Sequence, residues 1–164
     1  MSLKSLHREF QPYAEAFVNA VKDAGVPVQV TSTTRSYASQ SRLYRDYIEG
    51  RSRIPAAPPG TSLHEWGLAF DMSGVDSQTL AVLGRLWEDL GLGVWGGRFK
   101  DPIHFEANAA VKKAAGWAKG KSKHGPGISR MLEKVGGPTA KEATEAAVST
   151  LEPWWLALGR AIFD

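Results

Sequence analysis

Residues 61–72 read TSLHEWGLAFDM, and the fold turns on how this stretch is placed. His64 stands seven residues ahead of Asp71, with Gly67 and a run of apolar residues between them. Seven residues are two helical turns and would bring both side chains to one face. Gly67 and the strand-like LAFDM (68–72) argue against a helix. In one continuous strand an odd spacing sends the two side chains to opposite faces. Convergence therefore needs a bend, and Gly67 is where the backbone can make one. His64 is then expected on a loop and Asp71 on the strand that follows. Both residue types are available unprotonated near neutral pH and suit a zinc ion. On this stretch alone, a histidine two residues before a tryptophan reads more simply as a packed or capping residue.

A second histidine shifts that balance. In DPIHFE (101–106), His104 lies on an apolar strand next but one to a proline, a costly place for a polar ring without a partner. Asp101 precedes it by three residues. A catalytic zinc site takes three protein ligands, an open position and a carboxylate close to the bound water. His64, Asp71 and His104 supply the ligands and Asp101 the carboxylate, with Glu106 and Glu65 as rival bases. On a regular strand Glu106 rather than Asp101 shares the face of His104, whereas Pro102 can bend the segment and bring Asp101 round. Spacing does not choose between them.

Composition limits the alternatives. The chain has 164 residues, 43% hydrophobic and 23% charged, as expected of a globular protein with a buried core. There is no cysteine, so disulfides and thiolate metal sites are excluded and any transition metal must be held by histidine and carboxylate. His7 and His124, the other two histidines, fit no motif and read as solvated. The net charge of +3 is a mild excess. Lys112, Lys113, Lys119, Lys121 and Lys123 crowd one segment without interleaved aromatics on a stable element, so no nucleic-acid partner is expected. No run approaches the roughly 20 apolar residues that span a bilayer. The N-terminus has no signal-peptide pattern, so synthesis in the cytoplasm is expected.

Along the chain, Leu6, Phe10, Tyr13, Phe17, Val18 and Val21 recur at helical spacing and predict a helix from Ser5 to about Ala24, ended by Gly25 and Pro27. VPVQVTST (26–33) predicts a strand, SYASQSRLYRDYIEG (36–50) a helix stopped by Gly50, and RSRIPAAPPGTS (51–62) a loop. SQTLAVLGRLWEDLGLG (77–93) predicts a helix with Ser77 as N-cap. VWGGRF (94–99) and PIHFE (102–106) predict a strand pair around a short turn. The expected architecture is a compact α+β domain over residues 1–115, a small antiparallel sheet flanked by helices. Residues 116–164 are expected to form a basic linker and a helical C-terminal extension. The apolar end of that extension either packs back on the domain or docks a protein partner.

Taken in order, S-x-H-x-x-G-x-A-x-D (Ser62, His64, Gly67, Ala69, Asp71) followed by D-x-x-H (Asp101, His104) resembles the zinc D-alanyl-D-alanine carboxypeptidase family. That family includes VanY-type carboxypeptidases and phage endolysins that cleave L-alanyl-D-glutamate bonds. Arg35, Ser36 and Gln40 match its upstream R-S-x-x-x-Q setting, and Trp95 to Gly97 match its W-G-G. The resemblance covers roughly residues 30–106. It implies zinc on His64, Asp71 and His104, Asp101 as general base and then acid, and Arg35 on the scissile carbonyl or the substrate carboxylate. Many relatives carry glutamate at the position of Asp101; the endolysin-like members share aspartate. Ser62 and Gln40 are candidates for hydrogen bonds to the stem peptide, or else cap turns. Trp66 and Trp95 read as groove walls or core.

The expected function is hydrolysis of the peptide stem of peptidoglycan by an L-alanyl-D-glutamate endopeptidase. A D-alanyl-D-alanine carboxypeptidase is the nearest alternative, and a non-catalytic wall-binding or phage-tail module the more distant one. The enzyme would reach the wall after release or as part of a phage particle.

Overall fold

The computed structural model describes residues 2–119. The segments GISRMLEKVGG and 141–164, together with Lys121, Lys123 and His124, lie outside the described residues. A 3-10 turn, Leu3–Ser5, leads into α1 (Gln11–Asp23), β1 (Gln29–Ser32) and α2 (Tyr37–Ile48). Then come β2 (Ala69–Ser73), α3 (Ser77–Asp89), β3 (Gly93–Trp95), a 3-10 turn at Gly96–Phe99, β4 (His104–Ala107) and α4 (Ala109–Ala114). The four strands make one antiparallel sheet in the order β1-β2-β4-β3. The α+β class with a small antiparallel sheet and flanking helices is the one expected.

Period-two alternation divides the labour of the central strands. Phe70 and Met72 on β2, with Phe105 and Ala107 on β4, enter the core with essentially no exposure. Phe70 stacks on Phe105 with ring centroids 5.4 Å apart. Trp87 from α3 meets them edge-on at 5.6 and 5.9 Å, and meets Phe10 and Phe17 at 6.0 and 5.1 Å. Edge-to-face pairs add about 0.5–1.5 kcal/mol each beyond the area they bury. The Trp87 indole N–H donates to the Glu106 carbonyl at 3.1 Å, which satisfies the one polar atom of that cluster member and ties α3 to β4. The intervening residues Asp71, His104 and Glu106 are turned to the opposite face of the sheet.

Several boundaries differ from expectation, each for a local reason. α1 begins at Gln11 rather than Ser5 because Pro12, which lacks an N–H and clashes with the preceding turn, fits only the first turn of a helix. Leu6 and Phe10 are still buried, but from the turns before the helix. The N-cap of α3 is Asp76, not Ser77; its carboxylate accepts from both the Thr79 amide at 2.8 Å and the Thr79 hydroxyl at 3.0 Å. The strand expected over 94–99 ends at Trp95, and Gly96 and Gly97 open a 3-10 turn instead. The lysine-rich stretch starts as α4, capped by the Asn108 side chain, with Val111 buried.

The bend at Gly67 is present. Its φ is +66°, and an added Cβ would lie 2.6 Å from the His7 amide nitrogen, which itself donates to the Gly67 carbonyl at 2.9 Å. Gly67→Ala therefore combines backbone strain with a clash and should destabilise the fold by roughly 1–3 kcal/mol. Urea unfolding should show a lower midpoint with an unchanged slope.

Candidate metal centre

The β2–β4 register sets Asp71 directly opposite His104. His64 arrives from the turn before β2, where Glu65 N–H donates to the Ser62 carbonyl at 2.9 Å and Gly67 N–H to the His64 carbonyl at 3.1 Å. As a result His64 Nε2, His104 Nδ1 and Asp71 Oδ1 form a triangle with all three sides 3.2 Å. Tetrahedral bonds of about 2.1 Å put neighbouring donors roughly 3.4 Å apart, so the spacing and the nitrogen–nitrogen–carboxylate donor set both fit a zinc-sized divalent ion. His64 and Asp71 are buried, and the His104 side chain is 12% exposed.

The outer nitrogen of each ring is held. His64 Nδ1 donates to the Thr33 carbonyl at 2.8 Å, which leaves the Nε2 lone pair for the site. His104 Nε2 faces Glu106 Oε2 at 3.4 Å, and Glu106 in turn takes a 2.6 Å ion pair from Lys112 on α4. Lys112 also lies 5.4 Å from the centroid of the Trp117 ring. Glu106 thus meets the edge of His104 opposite the one that meets Asp71.

Titration follows this geometry. Burial would raise the Asp71 pKa, but hydrogen bonds from His104 and His64 outweigh it and hold the carboxyl far below the usual range. Burial would lower the His104 pKa, but Asp71 and Glu106 push it up to about 9. Both shifts describe one shared interaction. For Glu106, burial opposes ionisation, yet the bonds from His104 and Lys112 lower its pKa. Asp101 moves the other way: burial raises its pKa, modulated by the charges of His104, Asp71, His64 and Arg35 around it.

Arg35 follows β1 and points its guanidinium at the same place. Its NH2 is 4.0 Å from Asp71 Oδ2, and its NH1 donates to Gln40 Oε1 at 2.8 Å. Gln40 is buried with both ends of its amide engaged, since Nε2 donates to the Ala57 carbonyl at 2.7 Å. Ser62 is buried at the start of the His64 turn. Glu65 is also buried, and one carboxylate oxygen accepts the Gly60 N–H at 2.7 Å. Trp66 belongs to the core and donates to the Gly60 carbonyl at 3.1 Å. Trp95 is half-buried and donates to the Pro102 carbonyl at 2.8 Å. His7 is half-buried, its Nδ1 accepting from the Glu9 amide at 3.3 Å. Sequence reasoning passed over Thr33 and Lys112. A backbone carbonyl leaves no trace in residue type, and Lys112 was hidden in a charge run.

With the site laid out, its relatives are informative. The profile of the VanY family, D-alanyl-D-alanine carboxypeptidase, matches residues 3–118. The chain belongs to that family and is a peptidoglycan peptidase. Among solved structures, it is similar to the L,D-carboxypeptidase DacB from Streptococcus pneumonia at 24% identity, over 68% of this chain and 71% of that one, with a TM-score of 0.50. This is a likeness of fold. The LdcB LD-carboxypeptidase, described for its peptidoglycan recognition, is 26% identical over 68% and 71% of the two chains, with a TM-score of 0.49. DacB from Streptococcus pneumoniae D39 gives 25% over 71% and 76%, with a TM-score of 0.45. Comparison with curated proteins gave no significant match. Among the described residues, no helix is long and apolar enough to cross a membrane.

Two outcomes are expected. Because the His104 pKa of about 9 lies above its ordinary 6.5, the metal-free protein carries a proton there at neutral pH that an incoming ion must displace. Zinc affinity, measured by competition with a chromophoric chelator, should rise roughly tenfold per pH unit up to about pH 9. A profile that levels off near pH 7 would mean an ordinary imidazole. By the same sign, the stability His104 lends the metal-free fold is complete below about pH 6.5 and is lost as the pH rises through about 9. Separately, Glu106→Ala should weaken zinc binding about 10–100-fold, as loss of a ligand-orienting carboxylate does.

Proposed function

We propose that this chain is a zinc-dependent peptidase that hydrolyses the peptide stem of bacterial peptidoglycan at the L-alanyl-D-glutamate bond. His64, Asp71 and His104 hold the ion, Asp101 serves as general base and then acid, and Arg35 binds the scissile carbonyl. The observation that carries this reading is the 3.2 Å triangle of donors with Arg35 and Asp101 gathered around it. A zinc ion held there supplies Lewis acidity, which brings the pKa of bound water towards about 7.

The assignment of Asp101 over Glu106 rests on what each carboxylate already does. Glu106 is committed to the far edge of His104 and to Lys112, and its lowered pKa keeps it ionised. A group fixed in that way cannot cycle a proton. Asp101 has a raised pKa, which suits a group that takes a proton from the attacking water and returns it to the leaving amine. Arg35 stays charged at every working pH and can offer N–H groups to developing negative charge. One such donor is typically worth about 3 kcal/mol in the transition state. Gln40 acts here as a positioning residue that aims Arg35, and Ser62 remains a candidate for a bond to the stem.

The endopeptidase assignment is supported by aspartate at position 101, the choice of the endolysin-like members. On that reading the protein reaches the wall after release or within a phage particle. The family description favours a second reading, removal of a terminal D-alanine, in which Arg35 would take the substrate carboxylate. Digestion of purified peptidoglycan separates the two. New alanine carboxyl and glutamate amino termini identify the endopeptidase, and free D-alanine identifies the carboxypeptidase. Asp101→Ala should keep zinc, by metal analysis, and lose about 10²–10⁴-fold in kcat. Activity retained in that variant would remove Asp101 from the reaction.

A further inference from the structure

The described residues expose a few large apolar side chains, and one of them stands at the metal centre. Phe99 is 51% exposed, and its ring lies 5.8 Å from that of His104, inclined at 63°. Its position is built rather than incidental. The turn Gly96–Phe99 is bolted to α3 by Arg98, whose Nε and NH2 meet Glu88 at 2.8 and 2.9 Å. Trp95 fastens its start through the bond to the Pro102 carbonyl, and the Asp101 amide donates to the Gly96 carbonyl at 2.9 Å. Lys100, just past the turn, has φ +66°, the one non-glycine positive φ among the described residues. That reversal returns the chain so closely that a Cβ on Gly96 would lie 2.2 Å from the Asp101 carbonyl oxygen and 2.8 Å from His104 Cβ.

This construction holds an apolar ring half in water, two residues ahead of Asp101 in sequence and against His104 in space. The half of the phenyl left in water gains nothing for the fold by staying there, since apolar area stabilises only when it leaves water. What would cover it is substrate. We infer that Phe99 is a specificity-determining wall of the substrate groove that takes the methyl group of the alanine at the scissile bond. The inference rests on the peptidase reading above, but not on the choice of bond, because alanine borders the cut in both versions. A methyl against a fixed ring is favourable, and a charged or wide side chain at that position is not. Loss of one methyl from an apolar subsite typically costs about 10-fold or more in kcat/KM.

The test uses paired synthetic stem peptides that differ only in alanine or glycine at the scissile position. Wild type should prefer alanine about tenfold. Phe99→Ala should raise KM for the alanine peptide about tenfold, with kcat within about twofold and the preference near parity, as loss of uniform binding requires. Phe99→Leu should restore most of the preference, and the zinc content of both variants should match wild type. An alanine preference that survives Phe99→Ala, or a loss confined to kcat, overturns the inference while leaving the peptidase reading intact. A wild-type protein that holds zinc yet cuts neither peptide overturns the peptidase reading and this inference with it.

Discussion

Asp71 and His104 stand directly across from each other on neighbouring antiparallel strands, on the face of the sheet turned away from Phe70 and Phe105. Removing a carboxylate and an imidazole from water costs on the order of several kcal/mol for each charged group unless partners replace the lost hydration. The surrounding structure supplies those partners. His64 reaches the same carboxylate oxygen, Thr33 and Glu106 hold the outer ring nitrogens, and Lys112 balances Glu106. The same strand register that stacks the core rings puts the donors within reach of one ion. Core and site are therefore two sides of one pairing, and a one-residue slip of β2 against β4 would destroy both.

Electrostatics then sort four acidic residues into four environments. Asp71 is drawn down by two histidines, Glu106 by a histidine and a lysine, Asp101 is lifted by burial, and Glu65 accepts the Gly60 N–H in the proline-rich loop. Environments that push like groups apart are how acid, base and ligand roles are divided among chemically similar side chains. The loop itself is tied to the site at two points, Ala57 through Gln40 and Gly60 through Glu65 and Trp66. Substrate would thus meet a site whose upstream wall is fixed by hydrogen bonds and whose downstream wall is the braced turn bearing Phe99.

Much of this was legible from residue order. The odd spacing of His64 and Asp71 together with Gly67 required a bend, and the strand character of 68–72 and 102–106 put Asp71 and His104 each on a strand, though it did not show that the two strands pair. Glycine at positive φ and alternating burial are local physics, so they can be read from a local window. Helix starts differ from the expected ones, because the ring of Pro12 confines the start of α1 and the Asp76 carboxylate rather than Ser77 takes the Thr79 donors of α3.

Residue types alone determined that any metal here must sit on histidine and carboxylate, and which few positions could supply them. Only the tertiary structure showed that Glu106 is tied to Lys112 from α4 and to the outer edge of His104, the observation that supports the proposal of Asp101 as the proton carrier. It also decided that a main-chain carbonyl, Thr33, orients His64, and that Phe99 is held exposed at the centre. These are contacts between segments far apart in the chain, whose energies depend on distance and burial, and neither quantity is written in the order of residues.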